Sequence, residues 1–171
     1  RGDGSLGEAV QVEHFEGPGE GVVSHAHACV LYRTGNFLLV PTQARGVGYD
    51  RVWVLKVDQE TGRLTRISFT EARKYDEPRH LVFSRDNRHV YLVNEKTSTL
   101  RVFDFDDQKG ILTPKQVVPT LQDTYVGPNM ASAIVLSGDG SNVYVSNRIK
   151  EGIPPAGEGY AGKFRGQESV D

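Results

Sequence analysis

The sequence predicts an all-β protein whose four-stranded antiparallel units stack as the blades of a β-propeller. The first observation is an internal repeat with a period of 53 residues. Two sets of three residues are spaced at this interval. These sets are Pro41, Asn94 and Asn147, and His27, His80 and Ala133. Within each unit, two apolar runs, an alternating run and a final run are separated by polar turns, and helical spacing is absent. Units of this kind cannot bury their faces alone and therefore stack around an axis.

The strands of each unit follow from their apolar patterns. The second strand is seen in three aligned segments, namely TGNFLLVP (34–41), RDNRHVYLVN (85–94) and GDGSNVYVSN (138–147). Such nearly continuous apolar runs predict strands covered on both faces, whereas TLRVFDF alternates as a half-exposed strand does. The later halves also match, since YDRVWVLKVDQETGRLTRI corresponds to TSTLRVFDFDDQKGILTPK through a shared D-x-x-x-G turn.

The units divide the whole chain, 1–171, into parts of one propeller domain. Residues 3–16 are predicted to form the outer strand of a preceding blade. Residues 25–76 and 78–122 are predicted as complete blades, and 129–171 begin another that lacks its later strands. Such pieces do not close a ring, and the chain starts with Arg instead of Met, so we expect it to begin inside a longer protein. The alternative is a small open sandwich that is complete in itself.

Composition limits the classes of function. The 171 residues are 37% hydrophobic and 25% charged, which is ordinary for a globular domain. The 20 basic and 22 acidic residues are spread along the chain, so we predict neither a nucleic-acid nor a membrane partner. Because Cys29 is alone, no intrachain disulfide can form; we expect Cys29 in the core and the protein in the cytoplasm. No metal or cofactor motif is found, and none is predicted.

Charged residues mark one end of the hairpin EPRHLVFSRDNRHVYLVNE (77–95). In an antiparallel hairpin, the start of the first strand and the end of the second lie at the same edge, which makes Arg79, His80 and Glu95 neighbours. The repeat extends this edge, because Arg148 lies 53 residues after Glu95 and His27 lies 53 residues before His80. We therefore expect His27, Arg79, Glu95 and Arg148 to line one mouth of the ring.

These four residues suit chemistry on an anionic carbonyl compound. Two arginines can hold carboxylate or phosphate oxygens and stabilise an oxyanion, while His27 and Glu95 are candidate acid and base. The alternative is a network of salt bridges that ties adjacent blades together.

Four segments resemble successive motifs of the seven-bladed lactonase family, which includes cycloisomerase-type 6-phosphogluconolactonases and the 3-carboxy-cis,cis-muconate lactonising enzyme. These segments are SHAHACV, EPRHLVFSRDNRHVYLVNE, YDRVWVLKVDQETGRL and ASAIVLSGDGSNVYVSNR. The resemblance implies a seven-bladed ring and places its proposed active-site residues at His27, Arg79, Glu95 and Arg148, with His25 as a second choice for the histidine. It implies a hydrolase acting on a small anionic sugar lactone, or alternatively a muconate-type cycloisomerase or a non-catalytic scaffold. The implied partners are a small anionic lactone or carboxylate and the remaining blades.

The chain departs from the family after Arg148. The segment IKEGIPPAGEGYAGKFRGQESVD is rich in Gly and Pro where the family resumes with a strand, and residues 149–165 therefore predict a long loop. The two interpretations are a lid over the active site and a solvated surface insertion.

Overall fold

The computed structural model describes residues 2–148, in which every regular element is a β-strand. The strands are β1 (His25–Ala26), β2 (Val30–Leu31), β3 (Phe37–Gln43), β4 (Arg51–Val57), β5 (Leu64–Glu71), β6 (Pro78–Phe83), β7 (His89–Asn94), β8 (Thr99–Asp106), β9 (Ile111–Pro119), β10 (Met130–Leu136) and β11 (Val143–Arg148). The prediction of an all-β protein is confirmed. Among these described residues, no helix exists that could cross a membrane.

The strands form three antiparallel sheets in which chain neighbours pair. The first sheet has the order β1-β3-β4-β5, with β2 also paired to β3, and the second has the order β6-β7-β8-β9. The third consists of β10 and β11. This meander of four strands is the arrangement of a propeller blade, and β1, β6 and β10 are the first strands of their sheets.

The D-x-x-x-G turns close the outer hairpins as the repeat predicts. In the first sheet, Asp58 Oδ1 accepts hydrogen bonds from the amides of Glu60 and Thr61, at 3.0 and 2.9 Å. Gly62 then adopts a φ of 72°, which an L side chain rarely takes. Gly110 repeats this conformation with a φ of 67°, so the turn chemistry fixes where the outer strands begin.

The main core lies between the first and second sheets. Its side chains are apolar and buried, and both sheets contribute to it. They are Tyr32, Phe37, Leu39, Val52, Val54, Leu81, Val90, Leu92, Phe103, Phe105 and Leu112. Burying the facing surfaces of two sheets in this way fixes their distance and angle. The ends of the inner strands in adjacent sheets are thereby brought side by side.

Each first strand carries a shift in register near the same end of its sheet. In the second sheet, Pro78 pairs with Asn94 but His80 pairs with Val93, so Arg79 is the extra residue of a bulge. The third sheet shifts between Ala131 and Ile134. Bulges bend a strand and re-aim its side chains, and they often lie beside active sites.

In the first sheet, the irregularity separates β1 from β2. Cys29 lies in this gap and is exposed, so its predicted place in the core is wrong. The interruption of the ladder turns this residue away from the sheet faces that are buried.

Residues 3–16 form no regular strand among the described residues, and their assignment to the outer strand of a preceding blade stays a prediction. The described residues offer this segment no backbone ladder, and it bonds to β5 mainly through side chains. The carboxamide of Gln11 exchanges two hydrogen bonds with the backbone of Leu64, and Glu13 forms a salt bridge with Arg66 at 3.0 Å. Both pairs are 53 residues apart, as they would be if the segment lay where a preceding blade places its outer strand.

Candidate active site

The four predicted site residues come from three sheets and meet around one carboxylate. His27 follows β1 in the first sheet, Arg79 lies on β6 and Glu95 directly follows β7 in the second, and Arg148 ends β11 in the third. Glu95 is 7% exposed, so its carboxylate depends on these neighbours for the contacts that water would otherwise give.

Both arginines form ion pairs with Glu95. Arg79 Nε lies 3.3 Å from Glu95 Oε2, without the alignment of a hydrogen bond, and Arg148 Nη2 donates to Glu95 Oε1. A second nitrogen of Arg79, Nη1, donates to the carbonyl of Ser132 at 2.8 Å in the third sheet. The Arg79 side chain is 13% exposed and that of Arg148 is 44% exposed. Arg148 is therefore the arginine that is more open to a ligand.

A fifth residue, Gln43, was not predicted. It ends β3, is 1% exposed, and donates from Nε2 to Glu95 Oε2 at 2.7 Å. Gln43 therefore holds the oxygen that also faces Arg79 and His27. Its position in the sequence could have indicated this role, because Gln43 lies two residues after Pro41. It ends the second strand of its unit, as Glu95 follows the second strand of the next unit.

His27 and His80 form an edge-to-face pair next to Arg79. Their ring centroids are 5.2 Å apart, and His27 Nε2 lies 4.0 Å from Glu95 Oε2. Burial lowers the pKa of His27, the charge of Arg79 lowers it further, and Glu95 offsets part of this change. Burial and the charge of Arg79 also lower the pKa of His80. Both imidazoles are therefore mainly neutral at pH 7, and His27 can accept a proton.

The bulge at Arg79 explains how two consecutive residues serve one site. In a regular strand, Arg79 and His80 would point to opposite faces. Here Arg79 Nη1 lies 3.0 Å from His80 Nδ1, and both side chains belong to the cluster. His80 was seen in the repeat but was not predicted as a site residue.

His25 lies apart from the Glu95 contacts. It is exposed and pairs through its backbone with Gln43, whereas His27 has its imidazole near the carboxylate. The geometry therefore favours His27 as the histidine of the cluster. Within residues 2–148, no group of three His, Cys, Asp or Glu side chains is placed to hold a metal ion.

The sequence matches the family model described as lactonase, 7-bladed β-propeller, over residues 1–154. The chain belongs to this lactonase family. The first and second sheets and the β10–β11 hairpin are thus parts of a propeller of this family, and the fold expected from the sequence is confirmed.

Curated lactonase-like relatives match most of this chain. It is 34% identical over 148 residues to an uncharacterised protein of Lactococcus lactis subsp. cremoris, covering 85% of this chain and 42% of the relative. It is 25% identical over 154 residues to a 6-phosphogluconolactonase of Bacillus subtilis, covering 88% and 42%. The chain spans about two fifths of the length of these relatives.

Solved structures agree with this relationship. The periplasmic gluconolactonase of Pseudomonas aeruginosa is 31% identical, with a TM-score of 0.73 over 86% of this chain and 41% of that one. A protein of Bacteroides fragilis described as a putative 6-phosphogluconolactonase is 27% identical, with a TM-score of 0.68 over 86% and 42%. The segment 149–165 that was predicted as a loop lies outside the described residues.

Proposed function

We propose that this chain supplies the catalytic end of a hydrolase that opens a small anionic sugar lactone, as a 6-phosphogluconolactonase does. The observation that carries the proposal is the convergence of His27, Arg79 and Arg148 on the buried carboxylate of Glu95. Membership of the lactonase family supports the reaction class, and relatives described as 6-phosphogluconolactonases support the substrate class.

The charge of the cluster suits an anionic substrate. Two guanidinium groups face one carboxylate while both imidazoles are mainly neutral, so one positive charge is left over. Arg148, with the more exposed side chain, binds the acidic group of the substrate. Arg79, held by Ser132, binds the same acidic group and polarises the lactone carbonyl.

His27 and Glu95 together activate the attacking water. Their nearest atoms are 4.0 Å apart, which is too long for a direct hydrogen bond but allows one water molecule to contact both. As the water oxygen bonds to the carbonyl carbon, its proton passes to His27, and Glu95 stabilises the imidazolium. The carbon–oxygen bond of the ring then breaks, and the imidazolium of His27 gives its proton to the ring oxygen as the product forms.

The activity belongs to the whole ring. We expect the remaining blades to lie in parts of the protein outside this chain, because the family is seven-bladed and this chain spans about two fifths of its relatives. The cytoplasmic location stays a prediction, since one structural relative is described as periplasmic.

Isotope labelling tests the reaction. The full-length protein is incubated with 6-phosphoglucono-δ-lactone in ¹⁸O-labelled water, and the product is analysed by mass spectrometry. We expect the label in the carboxylate of the opened acid, at a rate above spontaneous opening. Conversion of a muconate to its lactone without label would instead support a cycloisomerase. If neither reaction is observed, the result would support a non-catalytic scaffold.

Replacing Arg79 by lysine should mainly weaken substrate capture. Lysine keeps the charge but loses the planar fork, so the hydrogen bond to Ser132 and the contact with Glu95 can no longer form together. We expect KM for the anionic lactone to rise about 10-fold, which corresponds to one charge-assisted hydrogen bond.

The control for this variant is Arg63→Lys, because Arg63 is exposed in the turn before β5, away from the Glu95 cluster. Steady-state kinetics of both variants provide the test. A KM of Arg79→Lys equal to that of Arg63→Lys would show that Arg79 does not hold the substrate.

A further inference from the structure

A second buried carboxylate lies close to the Glu95 cluster but is not part of it. Asp76 is 0% exposed and lies in the loop between β5 and β6. Its carboxylate accepts hydrogen bonds from the Arg73 amide and the Thr97 hydroxyl, both at 3.0 Å. The Arg73 guanidinium also contacts it at 3.3 Å, but that side chain is 61% exposed and contributes little. Burial lowers the pKa of Arg101 and the charge of Asp76 offsets part of this change, so Arg101 is a second cationic neighbour without a close ion pair. A carboxylate that is fully buried with such partners is still costly, and this cost suggests that Asp76 has a positioning role.

The loop of Asp76 is bonded to the turn that carries Glu95. The Glu95 amide donates to the carbonyl of Glu77 at 2.9 Å, and the Lys96 amide donates to that of Asp76 at 3.3 Å. Thr97 then bonds to the Asp76 carboxylate. Three successive residues of the turn are thus held by two successive residues of the loop, and a movement of the loop would carry Glu95 with it.

A chain of side-chain hydrogen bonds reaches around Glu95 to the same carboxylate. Asn94 Nδ2 donates to Thr99 Oγ1 at 3.0 Å, and Thr99 Oγ1 lies 3.0 Å from Thr97 Oγ1. Because Thr97 has one hydroxyl proton and gives it to Asp76, Thr99 is the donor to Thr97. The residues on both sides of Glu95 are therefore connected to Asp76.

The loop that carries Asp76 contains two residues whose backbone conformation is unfavourable. Tyr75 and Glu77, on either side of Asp76, have φ values of 71° and 51°, in the left-handed region that costs L residues free energy. Asp50 Oδ2 also accepts from the Tyr75 amide at 3.1 Å. The hydrogen bonds of Asp76 and Asp50 offset this cost and keep the Glu77 carbonyl in place to accept from the Glu95 amide.

We propose that Asp76 is a positioning residue that fixes Glu95 through Thr97 and through the carbonyl of Glu77. Its effect on catalysis rests on the proposed role of Glu95 in lactone hydrolysis. Asp76 lies behind the turn and contacts no residue of the Glu95 cluster through its side chain in the described structure, so it acts through geometry alone.

The sharpest test replaces Thr97 in the full-length protein. Thr97→Val keeps the shape but removes the hydroxyl, whereas Thr97→Ser keeps the hydroxyl as a matched control. Because Thr97 is exposed, neither change should alter the melting temperature by more than a few degrees. We expect Thr97→Val to lower kcat for 6-phosphoglucono-δ-lactone about 10-fold with little change in KM, and Thr97→Ser to restore the wild-type rate.

A double variant separates positioning from a general structural effect. If Thr97 acts through Glu95, Thr97→Val should not lower kcat further in a Glu95→Gln background. An equal loss in both backgrounds, a wild-type rate for Thr97→Val, or an impaired Thr97→Ser would overturn the proposal.

A crystal structure of the full-length Asp76→Asn variant tests the positioning even if the protein does not hydrolyse lactones. We expect the Glu95 carboxylate to shift by about 1 Å or more relative to Arg79, a displacement large enough to impair catalysis. An unmoved Glu95 would refute the positioning role. Absence of lactone hydrolysis by the wild-type protein would refute only the proposed function.

Discussion

Replacing Glu95 by glutamine should lower kcat for lactone hydrolysis by about 10²-fold or more in the full-length protein. Glutamine keeps the size of the side chain and can still accept from Gln43 or Arg148, but it lacks the negative charge. It can therefore no longer stabilise an imidazolium on His27. Steady-state kinetics, with the melting temperature measured on the same samples, give the result.

The matched control is Glu71→Gln, because Glu71 also pairs with an arginine but its side chain is 65% exposed on β5. We expect this variant to keep the wild-type kcat. The rival interpretation, in which Glu95 only ties the sheets together, predicts nearly normal turnover and a melting temperature many degrees lower. That outcome would make the cluster structural and the proposed catalytic role wrong.

The largest expected effect on stability comes from Phe103→Ala. Phe103 is 1% exposed on β8 and belongs to the core between the first and second sheets. Removing the ring leaves a cavity that two packed sheets can fill only in part, so we expect a loss of about 3–5 kcal/mol in the free energy of unfolding.

Urea unfolding of the full-length protein measures this loss. Ile111→Ala serves as the control, since Ile111 is 42% exposed at the start of β9 and should cost less than about 1 kcal/mol. Similar losses for the two variants would mean that the interface between the sheets does not depend on Phe103.

The positions of Glu95 and Arg148 could be predicted because one repeat corresponds to one sheet. Residues 53 apart occupy equivalent places in adjacent sheets, and the ends of inner strands lie side by side once the sheets pack. The sequence was therefore sufficient to predict the strand order and the proximity of Glu95 and Arg148. It held no comparable information on distances, because those depend on how the core sets the spacing of the sheets.

Gln43 was missed for a physical reason. It is the second residue of the segment TQARGVGYD, where the first unit is longer than the second, and it therefore has no clear counterpart for alignment. Its hydrogen bond to Glu95 depends on how far β3 extends beyond Pro41. Strand ends are set by local hydrogen bonds such as that from the Ala44 amide to Asp50, at 2.7 Å, which a pattern of apolar residues does not show.

The hairpin predicted that His80 lies near Arg79 and Glu95, but His80 was not predicted as a site residue, because a bulge is invisible to a pattern of period two. Alternation places Arg79 and His80 on opposite faces, yet the shift between Pro78 and His80 brings them together. The same kind of irregularity misled the prediction for Cys29. Sequence patterns thus predicted the strands well, and were weakest where the ladder departs from regular pairing.

The contacts between residues one repeat apart bear on how such a ring can evolve. His27 touches His80, Arg79 bonds to Ser132 and Glu95 pairs with Arg148, so each position meets its own counterpart in the next unit. Newly duplicated, identical units would place the carboxylate of one glutamate against that of the next, and like charges repel. The charges of the Glu95 cluster can therefore accumulate at these strand ends only after the copies have diverged, and an artificial consensus protein of identical units would be frustrated at the same place.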